Sequence, residues 1–246
     1  ASRYYSPNNP HTDALYTRYI PDADGYPFAA TQYTADNTGR IRLQGGVGHE
    51  MQPGQGHTTR YFYGKPSQLE LDRLFGSEAG EASHYLKNMI VDANGQISVS
   101  YVDAHGRTIA TALAGKSPDS VYALPSSEEA SVPFNEELVN RYNTSRSTAD
   151  YTVTGNSSLL IPLTGTYHFK YSYDPATVVT SPCETNMQDL CSDGYYDLWI
   201  TVKDECGDIK QEVKVAADIS GIETSCDKRP PLVNGSFDTD LQIGEY

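Results

Sequence analysis

Short runs in which apolar and polar residues alternate dominate this chain, and most of them end in Gly, Asn or Asp. In the first half the runs are 31–33, 40–43, 59–63, 97–102 and 108–113. A period of two between turn residues predicts antiparallel β-hairpins. A second series at 151–154, 158–163, 166–173, 195–202 and 209–215 has the spacing of an antiparallel β-sandwich. The period changes after Pro66. Ser67 and Glu70 have capping-box spacing, Leu71, Leu74 and Phe75 follow, and Gly76 comes next, which predicts a helix from Ser67 to Gly76. A further helical turn is predicted over 78–87. The fold class is mainly β, an antiparallel hairpin unit with one or two short helices followed by an antiparallel sandwich.

Between these runs the composition changes. Ser6-Pro7, Asn9-Pro10, Ile20-Pro21 and Tyr26-Pro27 bias residues 1–27 towards extended or looped backbone, an extended lead-in arm. Residues 28–115 form the hairpin unit. Residues 116–150, rich in Ser, Pro, Glu and Asn, read as a linker with one short helix near 134–142. Residues 151–246 form the sandwich and its tail.

Of 246 residues 38% are apolar, and Tyr supplies 19 against 6 Phe and 1 Trp, enough to offset chain entropy in a folded core. No stretch approaches the roughly 20 apolar residues of a membrane-spanning helix. The net charge of −14 argues against nucleic acid or anionic membrane as partner, because like charges repel. It is unevenly spread: residues 1–125 carry 10 basic and 12 acidic side chains, and residues 126–246 carry 8 and 20. The acidic half also holds all four cysteines, Cys183, Cys191, Cys206 and Cys226. An even number confined to one region reads as disulfides in an oxidising compartment, which places the protein outside the cell or on its surface. The strand over 195–202 would span about 26 Å when extended, far beyond the roughly 7 Å that bridged Cα atoms allow. The expected pairs are therefore Cys183 with Cys191 and Cys206 with Cys226. Zinc is the alternative, although close Cys pairs of the usual spacing are missing. Residues 1–20 contain no apolar run of signal-peptide type, and the chain is expected to be a mature or excised piece of something longer.

Candidate chemistry is sparse. His49, Glu50 and His57 lack the helical four-residue spacing that lets two histidines and a glutamate serve one zinc ion. The segment 44–48, Gln-Gly-Gly-Val-Gly, lacks the Lys-Ser/Thr ending of a phosphate loop, and no G-x-S-x-G elbow occurs. The acidic stretch 189–197 is either a calcium loop or a solvated turn. Tyr-rich strands either stack on sugars or pack a half-buried face. No catalytic, cofactor-binding or metal-binding residue is assigned, and no enzyme activity is expected.

One pattern recurs three times: Asp36-Asn-Thr-Gly39-Arg40, Asp92-Ala-Asn-Gly95-Gln96 and Asp103-Ala-His-Gly106-Arg107. Asp accepts bonds from nearby amides while Gly supplies positive φ, so D-x-x-G is a hairpin turn after which a strand restarts. Tyr33 and Tyr101 precede the first and third. The pair Tyr33/Asp36/Gly39/Arg40 and Tyr101/Asp103/Gly106/Arg107 resembles the tyrosine–aspartate repeats of bacterial Rhs-type proteins. Segments across 19–115, and more loosely 150–210, resemble the large secreted Rhs/YD-repeat proteins of Bacteroidetes.

That resemblance implies hairpin ribbons that coil into a shell, often around or beside a toxin or effector. It makes this chain a non-enzymatic structural segment of a larger exported chain or assembly. The alternative is a cell-surface module that recognises glycan or protein through its Tyr-rich sandwich. Two expectations follow for the ribbon. The strand 97–102, without Lys or Pro, should be paired on both sides, by 108–113 and 59–63 or by a strand from outside. At least one strand of 28–113 should end at an open edge.

Overall fold

In the first half of the chain, six strands add to one another in sequence order. They are β1 (Ala30–Tyr33), β2 (Ile41–Gly45), β3 (Thr59–Gly64), β4 (Leu86–Val91), β5 (Ile97–Val102) and β6 (Thr108–Ala114), and they form one antiparallel sheet in that order. The structure is a computed structural model and describes residues 3–11, 19–115, 134–139, 144–150, 152–174, 177–180, 190–193, 197–216 and 232–246. The chain divides into two compact units, Ala1–Leu163 with Glu245, and Thr164–Gly244 with Tyr246. The class is mainly β with antiparallel sheets.

The sheet of the first unit buries one face. Phe62, Met89, Val99 and Ala112 stand opposite one another across β3 to β6. The flanking row is Arg60, Val91, Ile97 and Ala114, and the next is Gly64, Lys87, Tyr101 and Ala110. Phe62, Met89, Val91, Ile97, Val99 and Tyr101 are all buried, and they alternate with half-exposed residues as one buried face requires.

Helix α1 (Gln68–Phe75) joins β3 to β4. It starts where the sequence places it. Ser67 Oγ accepts from the Glu70 amide at 3.1 Å, and Glu70 Oε2 accepts in return from the Ser67 amide at 3.4 Å, which satisfies two of the helix's orphan donors. Gly76, at φ 79°, ends it. Of the three apolar residues that follow the capping box in the sequence, Leu71 is fully buried, Phe75 meets the Tyr101 ring edge-on at 6.3 Å, and Leu74 lies at the surface.

Four sequence expectations change. The helical turn predicted over 78–87 is instead two 3₁₀ turns, Ser77–Ala79 and Ala82–His84, followed by β4. Gly80 at φ 79° separates the turns, and Met89 and Val91 are drawn into the sheet because that face buries them. Strand β5 is paired on both sides, but its neighbours are β6 and β4 rather than β3. Over 3–11 the lead-in segment is turned rather than extended: Ser6 Oγ donates to the Arg3 carbonyl and the Asn9 amide to that of Ser6, each at 3.0 Å. Short polar side chains close turns there that proline alone does not dictate. Residues 134–139 are not helical, while the span read as linker contains β7 (Thr144–Ser147), paired with β8 (Thr152–Gly155).

A two-residue strand, β9 (Leu160–Ile161), completes the first unit, and both of its side chains are buried. Leu160 sits against Gly64, where an added Cβ would stand 2.8 Å from its Cγ.

The second unit holds β10 (Gly165–Tyr173), β11 (Thr177–Thr180), β12 (Leu190–Asp193), β13 (Leu198–Lys203), β14 (Ile209–Val215) and β15 (Val233–Leu241). The sequence groups its strands into a sandwich, whereas the described strands pair two by two: β10 with β15, β11 with β12, β13 with β14. Alternation identifies strands but not their partners. Along β10 and β15 one face is exposed and polar and the other is half-buried, with Phe169 stacked on Phe237 at 5.1 Å. Tyr171 lies over Gly235, directly opposite it, where a Cβ would approach the Tyr171 hydroxyl to 2.2 Å.

Candidate functional site: the repeated turns and the cluster under the helix

A turn that restarts a strand needs a side chain to gather the loose amides and a residue that tolerates positive φ. At Asp103 both needs are met. Its Oδ1 accepts from the His105 and Arg107 amides, each at 2.9 Å, the Asp103 amide donates to the Arg107 carbonyl at 2.9 Å, and Gly106 has φ 78°. Asp92 repeats the arrangement through the Asn94 and Gln96 amides at 2.9 and 2.8 Å, with Gly95 at φ 82°. The expected positive φ is thus found, and the strand following Arg107 begins at Thr108.

The first repeat differs. Its loop is two residues longer, closed by the Thr34 amide on the Arg40 carbonyl at 2.9 Å, and both Asn37 (φ 60°) and Gly39 (φ 73°) are left-handed. Asp36 collects the Thr34 and Thr38 hydroxyls at 2.6 and 2.7 Å and Arg40 at 2.6 Å. These hydrogen bonds hold its carboxyl far below the ordinary range. Hydrogen bonds from the Arg107 amide and side chain likewise lower Asp103, to about 2.

A fourth copy lies in the second unit, where the sequence reading does not place one. Asp204 Oδ1 accepts from the Cys206 and Asp208 amides, each at 2.9 Å, the Asp204 amide donates to the Asp208 carbonyl at 3.0 Å, and Gly207 has φ 85°. Asp204-Glu-Cys-Gly207 has the same D-x-x-G spelling. It escapes notice because no tyrosine sits two or three residues before it. Partial burial pushes the Asp204 carboxyl up, but Lys210 at 2.7 Å and the two amides outweigh it, so the net displacement is downward. Cys206 sits exposed in this turn. Cys183 and Cys226 lie outside the described residues, and Cys191 is placed only by its backbone register opposite Val179. Both expected pairings therefore fall outside what is described, and of the acidic stretch 189–197 the structure describes the backbone of 190–193 and residue 197.

The two repeat tyrosines have opposite environments. Tyr33 is 61% exposed and Tyr101 only 5%. The buried one belongs to a polar cluster that no motif marks. Tyr101 donates its hydroxyl proton to Glu70 Oε1, and Lys87 Nζ reaches the same oxygen at 2.6 Å. Burial first, then the hydrogen bond and charge of Glu70, push the Tyr101 phenol far above its usual range. One carboxylate thus caps α1 with Oε2 and ties the helix to β4 and β5 with Oε1.

Beside it lies a cavity of about 180 Å³, lined by Met89, Val99, Leu160, Pro162, the β6 residues 112–114 and the three members of the cluster. His49 and His57 do not share a site: the His49 ring meets that of Tyr26 at 5.4 Å, tilted by 57°, and His57 Nδ1 lies 3.1 Å from the Ala93 carbonyl. Among the described residues no group of three His, Cys, Asp or Glu gathers as metal ligands, and no helix is long and apolar enough to cross a membrane. No family model, curated protein or solved structure matches the chain.

Proposed function

We propose that this chain is a non-enzymatic structural segment of a large exported protein of the Rhs/YD-repeat kind, a β-scaffold of the sort that carries a toxin or effector. The observation that supports it most is the uninterrupted meander of β1 to β6, in which both turns flanking β5 close by one D-x-x-G arrangement. Consecutive hairpins of one design extend a ribbon by repetition, each needing only its neighbour to pair. The test is electron cryo-microscopy of the natural full-length product, combined with protease shaving of intact cells. A scaffold places residues 30–114 within a longer β-ribbon on the outer surface. A separate domain joined by a free tether, or a product protected from protease inside intact cells, would overturn the reading.

The alternative, a surface module that binds glycan or protein, draws support from Trp199. It stands 62% exposed on β13, with Lys214 Nζ 4.0 Å from its ring centroid. An aromatic ring in that position can stack on a sugar. Binding on a glycan array that is lost in Trp199→Ala would favour this second reading.

A further inference from the structure

The sequence contains two Asn-Gly steps, Asn94-Gly95 and Asn234-Gly235. In this dipeptide the asparagine side chain is open to attack by the backbone, because the following residue has no Cβ to shield its amide nitrogen. The two steps have opposite settings in the fold.

Asn94 and Gly95 stand exposed at the tip of the turn between β4 and β5. Two hydrogen bonds hold this step, both to Asp92: the Asn94 amide on Oδ1 at 2.9 Å and the Gly95 amide on the carbonyl at 3.0 Å. Nothing lies within 4 Å of where a Gly95 Cβ would stand. His57 tethers the loop one residue earlier, at the Ala93 carbonyl. A turn held by so few contacts opens at low cost. Asn234 and Gly235 instead lie within β15, in a register with β10 that runs without a shift from Val233 to Leu241. Tyr171 covers Gly235 so closely that a Cβ there would stand 2.2 Å from the phenol oxygen. Reaction at Asn234 requires that hairpin to open first. The other D-x-x-G turns read Asp36-Asn-Thr-Gly39, Asp103-Ala-His-Gly106 and Asp204-Glu-Cys-Gly207, so only the β4–β5 turn places asparagine directly before its glycine.

We propose that Asn94 is a self-modifying site, at which the β4–β5 turn becomes an isoaspartyl turn as the protein ages. The Gly95 amide nitrogen attacks the Asn94 side-chain carbonyl carbon. A bond forms between that nitrogen and Cγ, the Cγ–Nδ2 bond breaks, and ammonia leaves with the proton that Gly95 loses. Water then adds across one carbon–nitrogen bond of the cyclic imide. Opening beside the backbone carbonyl leaves the chain running through the side chain, as isoaspartate, and opening on the other side leaves aspartate. Water is the only co-reactant. Isoaspartate adds a methylene to the backbone of a turn whose closure depends on the Asn94 and Gln96 amides meeting one oxygen of Asp92, at 2.9 and 2.8 Å. It also sets a new carboxylate close to that of Asp92, and like charges repel. The turn therefore loosens. This inference rests on the turn alone and is independent of the scaffold reading.

The test ages the intact chain in mildly alkaline buffer, beside the same chain in concentrated urea, and maps both by peptide mass spectrometry, with enzymatic methylation to mark isoaspartate. In urea both steps should convert at similar rates, which establishes that each is chemically competent. In the native chain conversion at Asn94 should run at least about tenfold faster than at Asn234, the ratio that a modest difference in opening free energy produces. Amide exchange in the aged fraction should be faster at 92–96 and unchanged in β10 and β15. Asn94→Ser should abolish both the mass change at this site and the change of exchange on ageing. Equal rates at the two steps in the native chain, an Asn94 that survives while the urea control converts, or an isoaspartyl fraction whose exchange at 92–96 matches fresh protein would overturn the proposal.

Discussion

Two hairpins of this chain are built on one plan and meet different fates. In β5–β6 and in β13–β14 an aspartate gathers two amides at 2.9 Å, a glycine follows at φ 78° or 85°, and the strand register slips just before the turn. Yet β5 is a central strand that buries Ile97, Val99 and Tyr101, with Tyr101 held to α1, while β13 and β14 pair only with each other among the described strands and leave Trp199 exposed. The turn thus specifies the hairpin and nothing beyond it. What sets one of them apart is the material between β3 and β4: a capped helix whose Leu71 is fully buried and whose Glu70 reaches Lys87 and Tyr101.

Removing the buried Leu71 side chain should have the largest effect. Leu71→Ala deletes a side chain with no exposed surface, and a core truncation of this kind costs about 2–5 kcal/mol. Amide exchange in β3 to β5 should accelerate accordingly. Trp199, the only tryptophan, reports on β13–β14 by fluorescence, and its unfolding midpoint should not move. A Trp199 midpoint that falls in step would show that both hairpins belong to one cooperative unit.

A smaller effect tests the shared turn. Alanine at Gly106 or Gly207 meets open space, so the cost is that of left-handed backbone alone, about 1 kcal/mol for either. Equal losses, read from exchange at the strand ends, would sharpen the comparison. A loss several times larger at one turn would mean that the two are not equivalent.

The smallest effect is electrostatic. A carboxyl lowered on folding contributes stability that is present above its unfolded value, near 3.9, and is lost as pH falls through its folded value. For Asp103 the folded value is about 2, so the contribution fades between those limits. Its carboxyl carbon, followed by NMR, should titrate near the lower one, and Asp103→Asn should flatten the acid limb of the β5–β6 stability curve. A midpoint at the ordinary carboxylate value would remove the turn's charge from the argument.

Much of this was legible in the residues. Ser67 and Glu70 announce the helix start, Gly76 its end, and each D-x-x-G a reversal, because these signals act within a few bonds of where they are written. Strand β4 was not legible. Met89, Ile90 and Val91 form a continuous apolar run without clean alternation, and Ala79 and Ala82 before them suggest a helix. The polar cluster was hidden for the same reason: Lys87 faces Tyr101 only in the register that β4 adopts against β5. Partner choice in the second unit is likewise a property of packing, which alternation along one strand does not encode.

The seat of Leu160 on Gly64 bears on the order of events as the chain is made. Strands β1 to β6 pair with sequence neighbours, so the meander has low contact order and can zip up as it leaves the ribosome. Leu160 and Ile161 come nearly a hundred residues after Gly64. The groove they fill stays open until synthesis has passed β9, and for that interval the nascent sheet exposes apolar surface that only its own later sequence can cover.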